Sequence, residues 1–336
     1  MATLVLNPGS STLKFALGEE SGTIEHARMS EATAQVLARF AGRIDAVGCR
    51  VVHGGSRFVA PAIVDDEVLG AIREIADLAP LHNPLAVEVI EEVRRSLPGV
   101  PVVAVFDTAF HQTIPPVAFN YAVPPELGIR RYGFHGISYA YIAARLQVPR
   151  MIACHLGNGA SVCAIRDGRS VDTSMGLTPL EGLVMGTRAG DLDPGAILHL
   201  LRGGMDGPAL DDLLNHRSGL LGLSGSSGDV RTLQQSSDPR AALALEIFAY
   251  RVAKYAGAYA AVLGGVDALV FTAGIGEHSA PMRARICAPL AHLGIELDDA
   301  LNRAEGSGER AIGKKVWVIP TNEEGEIARA VASVLA

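Results

Sequence analysis

Residues 3–17 read TLVLNPGSSTLKFAL, an apolar run that stops at an amide and resumes after a Gly/Ser turn. Apolar alternation on both sides of a polar break commits this end of the chain to an antiparallel hairpin. Two residues such as Asn-Gly would turn it; this connection is longer and carries more hydrogen-bonding groups than turning requires. The same grammar returns at Met151, where MIACHL, GNGAS and VCAIRDGRSVDT follow one another as strand, Gly/polar turn and strand. The two stretches share little identity, yet their common order of strand, turn and strand suggests an internal duplication.

Between and after the hairpins, helical and strand patterns alternate, which favours an α/β design. Asp65 is placed to cap a helix with Val68, Leu69, Ile72 and Ile75 on one stripe. NPLAVEVIEEVRRSLPG predicts another helix, with Asn83 as cap and Pro84 at its first position. PVVAVF reads as a strand buried on both faces. A long helix is expected after Asp238 and Pro239, then the strands DALVFT and VWVIPT and a terminal helix EEGEIARAVASVL. Asp193 before Pro194 reads as a helix cap.

The 336 residues imply two domains and a sizeable core. A net charge of −7 argues against a nucleic-acid or anionic-membrane partner, because phosphate backbones demand a basic face. Any bound anion must therefore meet a few local Arg, Lys and backbone donors. Cys49, Cys154, Cys163 and Cys287 lie in apolar contexts without CxxC spacing and read as buried thiols of a reducing compartment. No basic segment precedes the first apolar run, so a signal peptide is not expected. The longest apolar tract, AGAYAAVLGGVDALVF, reads as helix end, turn and strand. Soluble and cytoplasmic is the expectation.

Three strand-to-glycine junctions carry the chemistry. Backbone N–H groups in NPGSSTLKF can form an anion nest, with hydroxyls and Lys14 adding donors. GNGAS repeats that logic with Asn158, and TAGIGEH at 272–278 follows a buried strand with two glycines suited to close approach by a base or ribose. There is no GxxxxGK[ST], so a P-loop is not supported. Arg50 and Arg188 suit a carboxylate or phosphate, whose geometry matches the guanidinium fork, or else ordinary salt bridges. The histidines, among them His53, His82, His111, His135 and His155, lack the spacing of a specific metal site.

Together NPGSSTLKF, RVVHGGSRF, LAPLHNP, VFDTAFHQTIPP, RYGFHGIS, CHLGNGAS, DTSMGLTPLEGLVMGTRAGDLDP, FTAGIGEH and IPTNEE resemble the acetokinase family of the sugar-kinase/actin/heat-shock-chaperone superfamily, in family order from residue 4 to about 329. The resemblance implies ATP + acetate ⇌ ADP + acetyl phosphate with Mg²⁺, or Mn²⁺. It implies an α/β fold of two duplicated actin-like (ribonuclease H-like) domains around a nucleotide cleft. The first would be 1–111 plus 325–336, completed by the C-terminal helix, and the second 112–324. Arg50 and Arg188 would hold the acetate carboxylate and the migrating phosphoryl group, with His135 donating to it and Asn158 nearby. Asn7 and Glu323 would orient the metal, and Asp107 would support the metal or an arginine. Nucleotide and phosphate contacts would fall to Ser10, Ser11, Thr12, Lys14, His155, Gly157, Asn158, Gly159, Asp229, Val230, Arg231, Gly274, Ile275 and Gly276. Val52, Leu81, Phe134 and Pro179 would line the methyl pocket, and a homodimer is implied.

Three departures stand out. The stretch before RVVHGG is shorter than is usual in the family, Val230 replaces a common aromatic, and Tyr139 a common histidine. Propionate or another short acid is the close alternative. A nucleotide-dependent switch without an acid acceptor and a zinc hydrolase are more distant ones.

Overall fold

The computed structural model describes residues 1–9, 12–25, 27–80, 82–304, 306 and 308–336, which form two compact units. Unit 1 comprises Met1–Gln112, Phe134–Tyr141 and Asn322–Ala336; unit 2 comprises Thr113–Gly133 and Ile142–Thr321.

Unit 1 contains β1 (Thr3–Pro8), β2 (Thr12–Leu17), β3 (Glu20–Glu25), β4 (Ala46–Val51), β5 (Ala62–Ile63) and β6 (Val102–Phe106) in the sheet order β3-β2-β1-β4-β6-β5. The opening hairpin is antiparallel, with Asn7 opposite Lys14, while β1, β4 and β6 run parallel. One sheet face carries Leu4, Leu6, Leu13 and Phe15, buried with Val36 and Ile90 from the helices Met29–Arg39 and Asn83–Ser96 and with Phe40 just after the first of them. The other face buries Val5, Ala46 and Val103 with Ile327 and Val331 of the terminal helix Glu323–Leu335. That two-sided burial is why β1, β4 and β6 read as nearly unbroken apolar runs.

Unit 2 repeats the plan. Its strands are β7 (Arg150–Leu156), β8 (Ala160–Arg166), β9 (Arg169–Thr173), β10 (Ala268–Thr272), β11 (Glu296–Leu297), β12 (Arg310–Lys314) and β13 (Val316–Val318), in the order β11-β12-β13-β10-β7-β8-β9. Both sheets begin with a three-strand antiparallel meander whose first strand then pairs in parallel with a later one. The 25-residue helix Pro239–Leu263, capped by Asp238, buries Leu245, Phe248 and Val252.

Several elements differ from the sequence expectation. VCAIRDGRSVDT is two strands, because Asp167 (φ 49°) and Gly168 (φ 76°) adopt the paired left-handed conformation of a tight hairpin turn. Asn83 does not cap its helix. Its amide instead accepts from His53 N and donates to His53 O, both at 3.0 Å, tying the helix start to the segment after β4. AGIGEH, expected as a glycine junction after a buried strand, forms a short helix, Ala273–His278. Asp65 and Asp193 do cap their helices.

All four cysteines are buried and unpaired, and burial raises the Cys49 and Cys287 thiols to about 12. Among the described residues no helix is long and apolar enough to cross a membrane.

The terminal helix lies so close to β4 that a Cβ at Gly48 would meet Ile327 Cγ2 at 2.6 Å and Val331 Cγ2 at 2.8 Å. Gly48→Val is expected to push this helix off the sheet and to cost about 1–3 kcal/mol in urea denaturation. An unchanged midpoint would show that the contact does not seat the helix.

Candidate functional site

In unit 1 the polar residues gather at the carboxyl ends of the parallel strands, where α/β sheets leave room for ligands. Asn7 lies near the end of β1, Arg50 near the end of β4, and Asp107 directly after β6. Asp107 Oδ2 accepts from Arg50 Nε at 3.0 Å and Nη2 at 2.5 Å, and Arg50 Nη1 donates to Asn7 Oδ1 at 3.2 Å. Asn7 Nδ2 in turn donates to Glu323 Oε2 at 3.2 Å and Glu324 Oε1 at 3.1 Å, at the start of the terminal helix. Burial opposes the charge on Arg50, but Asp107 and Glu323 more than offset it, so its pKa is raised. Burial pushes the Asp107 carboxyl up, and the guanidinium opposes this only in part. Asp107 Oδ1 is buried with no hydrogen-bond partner among the described residues, although the nearby Ile137 N–H favours the charged carboxylate.

Asp107 also holds the turn that carries His135. Its carbonyl accepts from Gly136 N at 2.9 Å, and a Cβ on Gly136 would sit 2.0 Å from that oxygen, so only glycine fits. His135 itself has φ 58°, a left-handed conformation that costs free energy and persists only where its neighbours enforce it. Phe134 before it is buried, its carbonyl 2.9 Å from His111 Nε2 and its ring edge-on to His53 at 5.4 Å. Tyr139, the departure from the family histidine, is fully buried and packs edge-on to His111 at 5.8 Å. Val52 is buried in the same unit. Thr12 and Lys14 start β2, and Lys14 lines a separate cavity of about 440 Å³ with Thr23, Asn322 and Glu324. Ser10, Ser11 and Leu81 lie outside the described residues.

In unit 2, Gly157, Asn158, Asp229, Val230, Arg231, Gly274 and Ile275 line one cavity of about 480 Å³. That volume suits a small-molecule ligand. Gly228, Gln234, His278 and Ser279 complete the wall, and Gln234 Nε2 donates to Ser279 Oγ at 2.9 Å. These four were not singled out from sequence; Gly228 lies within SGDVR and Gln234 three residues after it, while His278 and Ser279 end FTAGIGEHS, which was the available signal. His155, Gly159 and Gly276 do not line this cavity. Asp229 accepts from Thr232 N at 2.8 Å and so caps the helix Val230–Gln235; that N–H and the nearby Arg231 keep its carboxyl below the usual range despite some burial. Val230 is only 2% exposed, so most of its side chain belongs to the packing beneath the wall.

Arg188 sits in the irregular stretch 174–193 and donates from Nη1 to Pro179 O at 2.7 Å. Burial lowers its pKa, and among the described residues no acidic side chain offsets that cost. A desolvated guanidinium bonded to a neutral carbonyl retains capacity for an anion.

A divalent cation is compatible with the unit 1 residues. The buried orphan oxygen of Asp107 and the adjacent carboxylates of Glu323 and Glu324 are hard oxygen donors. Among the described residues no cluster of three His, Cys, Asp or Glu forms a ready cage.

Comparison with known proteins gives a consistent picture. Residues 29–329 match the model of the acetokinase family. An acetate kinase of Heliobacterium modesticaldum is 47% identical over 389 aligned positions, covering 98% of each chain. That alignment is longer than the 336 residues present here, so the relative carries segments this chain lacks. The acetate kinase of Halothermothrix orenii is 52% identical over 87% of this chain and 78% of its own. Among solved structures, Porphyromonas gingivalis acetate kinase superimposes with a TM-score of 0.92 at 37% identity over 100% of both chains. A propionate kinase from Francisella tularensis gives 0.91 at 38% over 98% of both.

Removing Asp107 should test the unit 1 network. Asp107→Ala removes the direct ion-pair partner of the half-buried Arg50, leaving it the Asn7 amide and the more distant Glu323 and Glu324, and is expected to cost about 3 kcal/mol. A urea midpoint equal to that of the unmodified protein would show that Arg50 does not depend on this carboxylate.

Proposed function

The chain belongs to the acetokinase family, and from that membership we propose that it reversibly transfers the γ-phosphoryl group of ATP to acetate. An acetate oxygen attacks the γ-phosphorus, a carboxylate–phosphorus bond forms, and the bond to the β-bridging oxygen breaks to release ADP. Acetate is already anionic near neutral pH, so no general base is required. The observation that carries the reading is Arg188, a half-buried guanidinium bonded to the Pro179 carbonyl with no acidic side chain paired to it among the described residues.

In this proposal Arg50 and Arg188 bind acetate and the migrating group, and His135 and Asn158 donate to the equatorial oxygens as charge redistributes. Such transfer depends on positioning and on neutralising these oxygens. The strained His135 is held before substrate arrives, which removes a reorganisation cost from the chemical step. Val52, Leu81, Phe134 and Pro179 line the methyl seat. The unit 2 cavity takes adenosine, with Asp229 acting through the helix it caps and Val230 through packing rather than ring stacking. Ser10, Ser11, Thr12, Lys14, His155, Gly157 and Gly159 serve the phosphates, while Arg231, Gly274, Ile275 and Gly276 serve the nucleoside.

Asn7, Glu323 and Asp107 would hold Mg²⁺ or Mn²⁺, with Glu324 added from its bond to Asn7. When bound, the ion supplies charge neutralisation at the nucleotide phosphates. The two actin-like domains are 1–111 plus 325–336 and 112–324, and a second copy of the chain is the expected partner.

Propionate is the second reading, favoured by the Francisella propionate kinase being as similar as the acetate kinase structure. One methylene in an apolar pocket discriminates by only about 1–3 kcal/mol. ATP-dependent acyl phosphate, trapped with hydroxylamine across formate, acetate, propionate and butyrate, tests both readings. A maximum at acetate is expected. A maximum at propionate would move the assignment by one carbon, and no product from any acid would overturn the kinase reading. Arg188→Ala should lower kcat by about 10²–10³-fold; an unchanged kcat in the folded variant would remove Arg188 from the mechanism.

A further inference from the structure

The stretch 174–193 joins β9 to the helix Pro194–Arg202 without regular secondary structure. Irregular connections longer than about 12–15 residues in a compact unit are uncommon and usually functional. This one carries Pro179 and Arg188, and it is tied to its surroundings through two of its own carboxylates.

The first tie is Glu181. Its Oε1 accepts from Arg131 Nη2 at 2.6 Å, and its Oε2 accepts from the Tyr121 hydroxyl. Arg131 Nη1 meanwhile reaches three successive carbonyls where the stretch leaves β9: Thr173 at 2.9 Å, Ser174 at 3.2 Å and Met175 at 2.9 Å. The residues after Arg131 continue the attachment, with Tyr132 N and Gly133 N donating to Gly176 O at 2.9 and 3.2 Å. The second tie is Asp191. Its Oδ1 accepts from Gly182 N at 2.9 Å and its Oδ2 from the Tyr255 hydroxyl at 2.8 Å. Glu181 and Asp191 thus bracket Arg188 in sequence, and the side chains that hold them come from outside the stretch.

We propose that Arg131 and Glu181, seconded by Tyr255 and Asp191, are positioning residues that set where Arg188 meets the acid substrate. The inference rests on the carboxylate-kinase reading. Arg188 has its Pro179 bond within the same stretch, so a shift of the stretch moves its guanidinium too. Arg131 also lies four residues before His135 in the chain, so the side chain that holds the Arg188 stretch belongs to the segment leading into the other candidate hydrogen-bond donor to the migrating group. The job needs a planar fork. Lysine keeps the charge but cannot span three carbonyls and a carboxylate from one rigid group.

The test compares the unmodified protein with Arg131→Lys, Glu181→Gln and Tyr255→Phe, reading acyl phosphate kinetics, ADP affinity and amide hydrogen exchange. Arg131→Lys and Glu181→Gln are expected to lower kcat/KM for the acid by up to about 10²-fold, the penalty for misplacing a reacting group by about 1 Å. ADP affinity should stay as it is, and exchange should quicken at Leu177, Gly182 and Asp191 without change in Pro239–Leu263. Combining Arg131→Lys with Glu181→Gln should lose little beyond either alone, since both cut one tie. A uniform loss of stability with acid kinetics and ADP affinity moving together would overturn the proposal, as would full activity in both folded variants. Should Arg131→Lys fail to fold, Glu181→Gln and Tyr255→Phe carry the same test. If the unmodified protein phosphorylates no acid, the kinase reading fails by itself. Unchanged exchange in the stretch would still refute the ties independently.

Discussion

Asp107 holds two things at once in unit 1. Its carboxylate receives the Arg50 fork, and its backbone carbonyl receives Gly136 N beneath the left-handed His135. Desolvating a carboxylate is costly, and the guanidinium repays it only because their geometry is close and charge-assisted. The cost is tolerated where it places a cation, and the Arg50–Asn7–Glu323 chain extends that placement to the terminal helix. Helix, strand ends and histidine turn therefore share one anchor. Gly136 is required for the same reason, since any side chain there would separate the turn from the carbonyl it rests on.

Unit 2 reaches comparable order by other means. Its candidate nucleotide wall is built from element ends, with a β7–β8 turn, an Asp229-capped helix and the short helix after β10 converging on one cavity. Ala273, at φ 63°, makes the corner between β10 and that helix. Where unit 1 spends a buried ion pair on a single turn, unit 2 uses Arg131, Tyr121 and Tyr255 to hold a long irregular stretch by its own acids. Burial raises the Tyr121 and Tyr255 phenols well above their ordinary range, aided by the acids they face, so both remain donors at any physiological pH.

The departures from the family pattern are accommodated by packing. Tyr139 fills its place as a wholly buried ring against His111, and Val230 turns into the packing under the cavity wall. Before RVVHGG, β3 is followed by the helix Met29–Arg39 and then by β4, which pairs in parallel with β1.

Local patterns made much of this legible. Alternation around NPGSSTLKF specifies a hairpin, Asp65, Asp193 and Asp238 announce helix starts, and unbroken apolar runs mark the doubly covered strands, because each depends on neighbours within a few residues. The rare strings of the family identified the chemistry. Tertiary structure decided the rest. Asn83 looked like a cap until His53 claimed its amide; Glu181 and Tyr255 carried no signal, because their partners lie 50 and 64 residues away. Sequence alone determined which residues prefer strand, turn or helix and which can hold an anion. Only the packed chain decided which charges lose their water together, since desolvation and partner choice are properties of the fold and not of any single stretch.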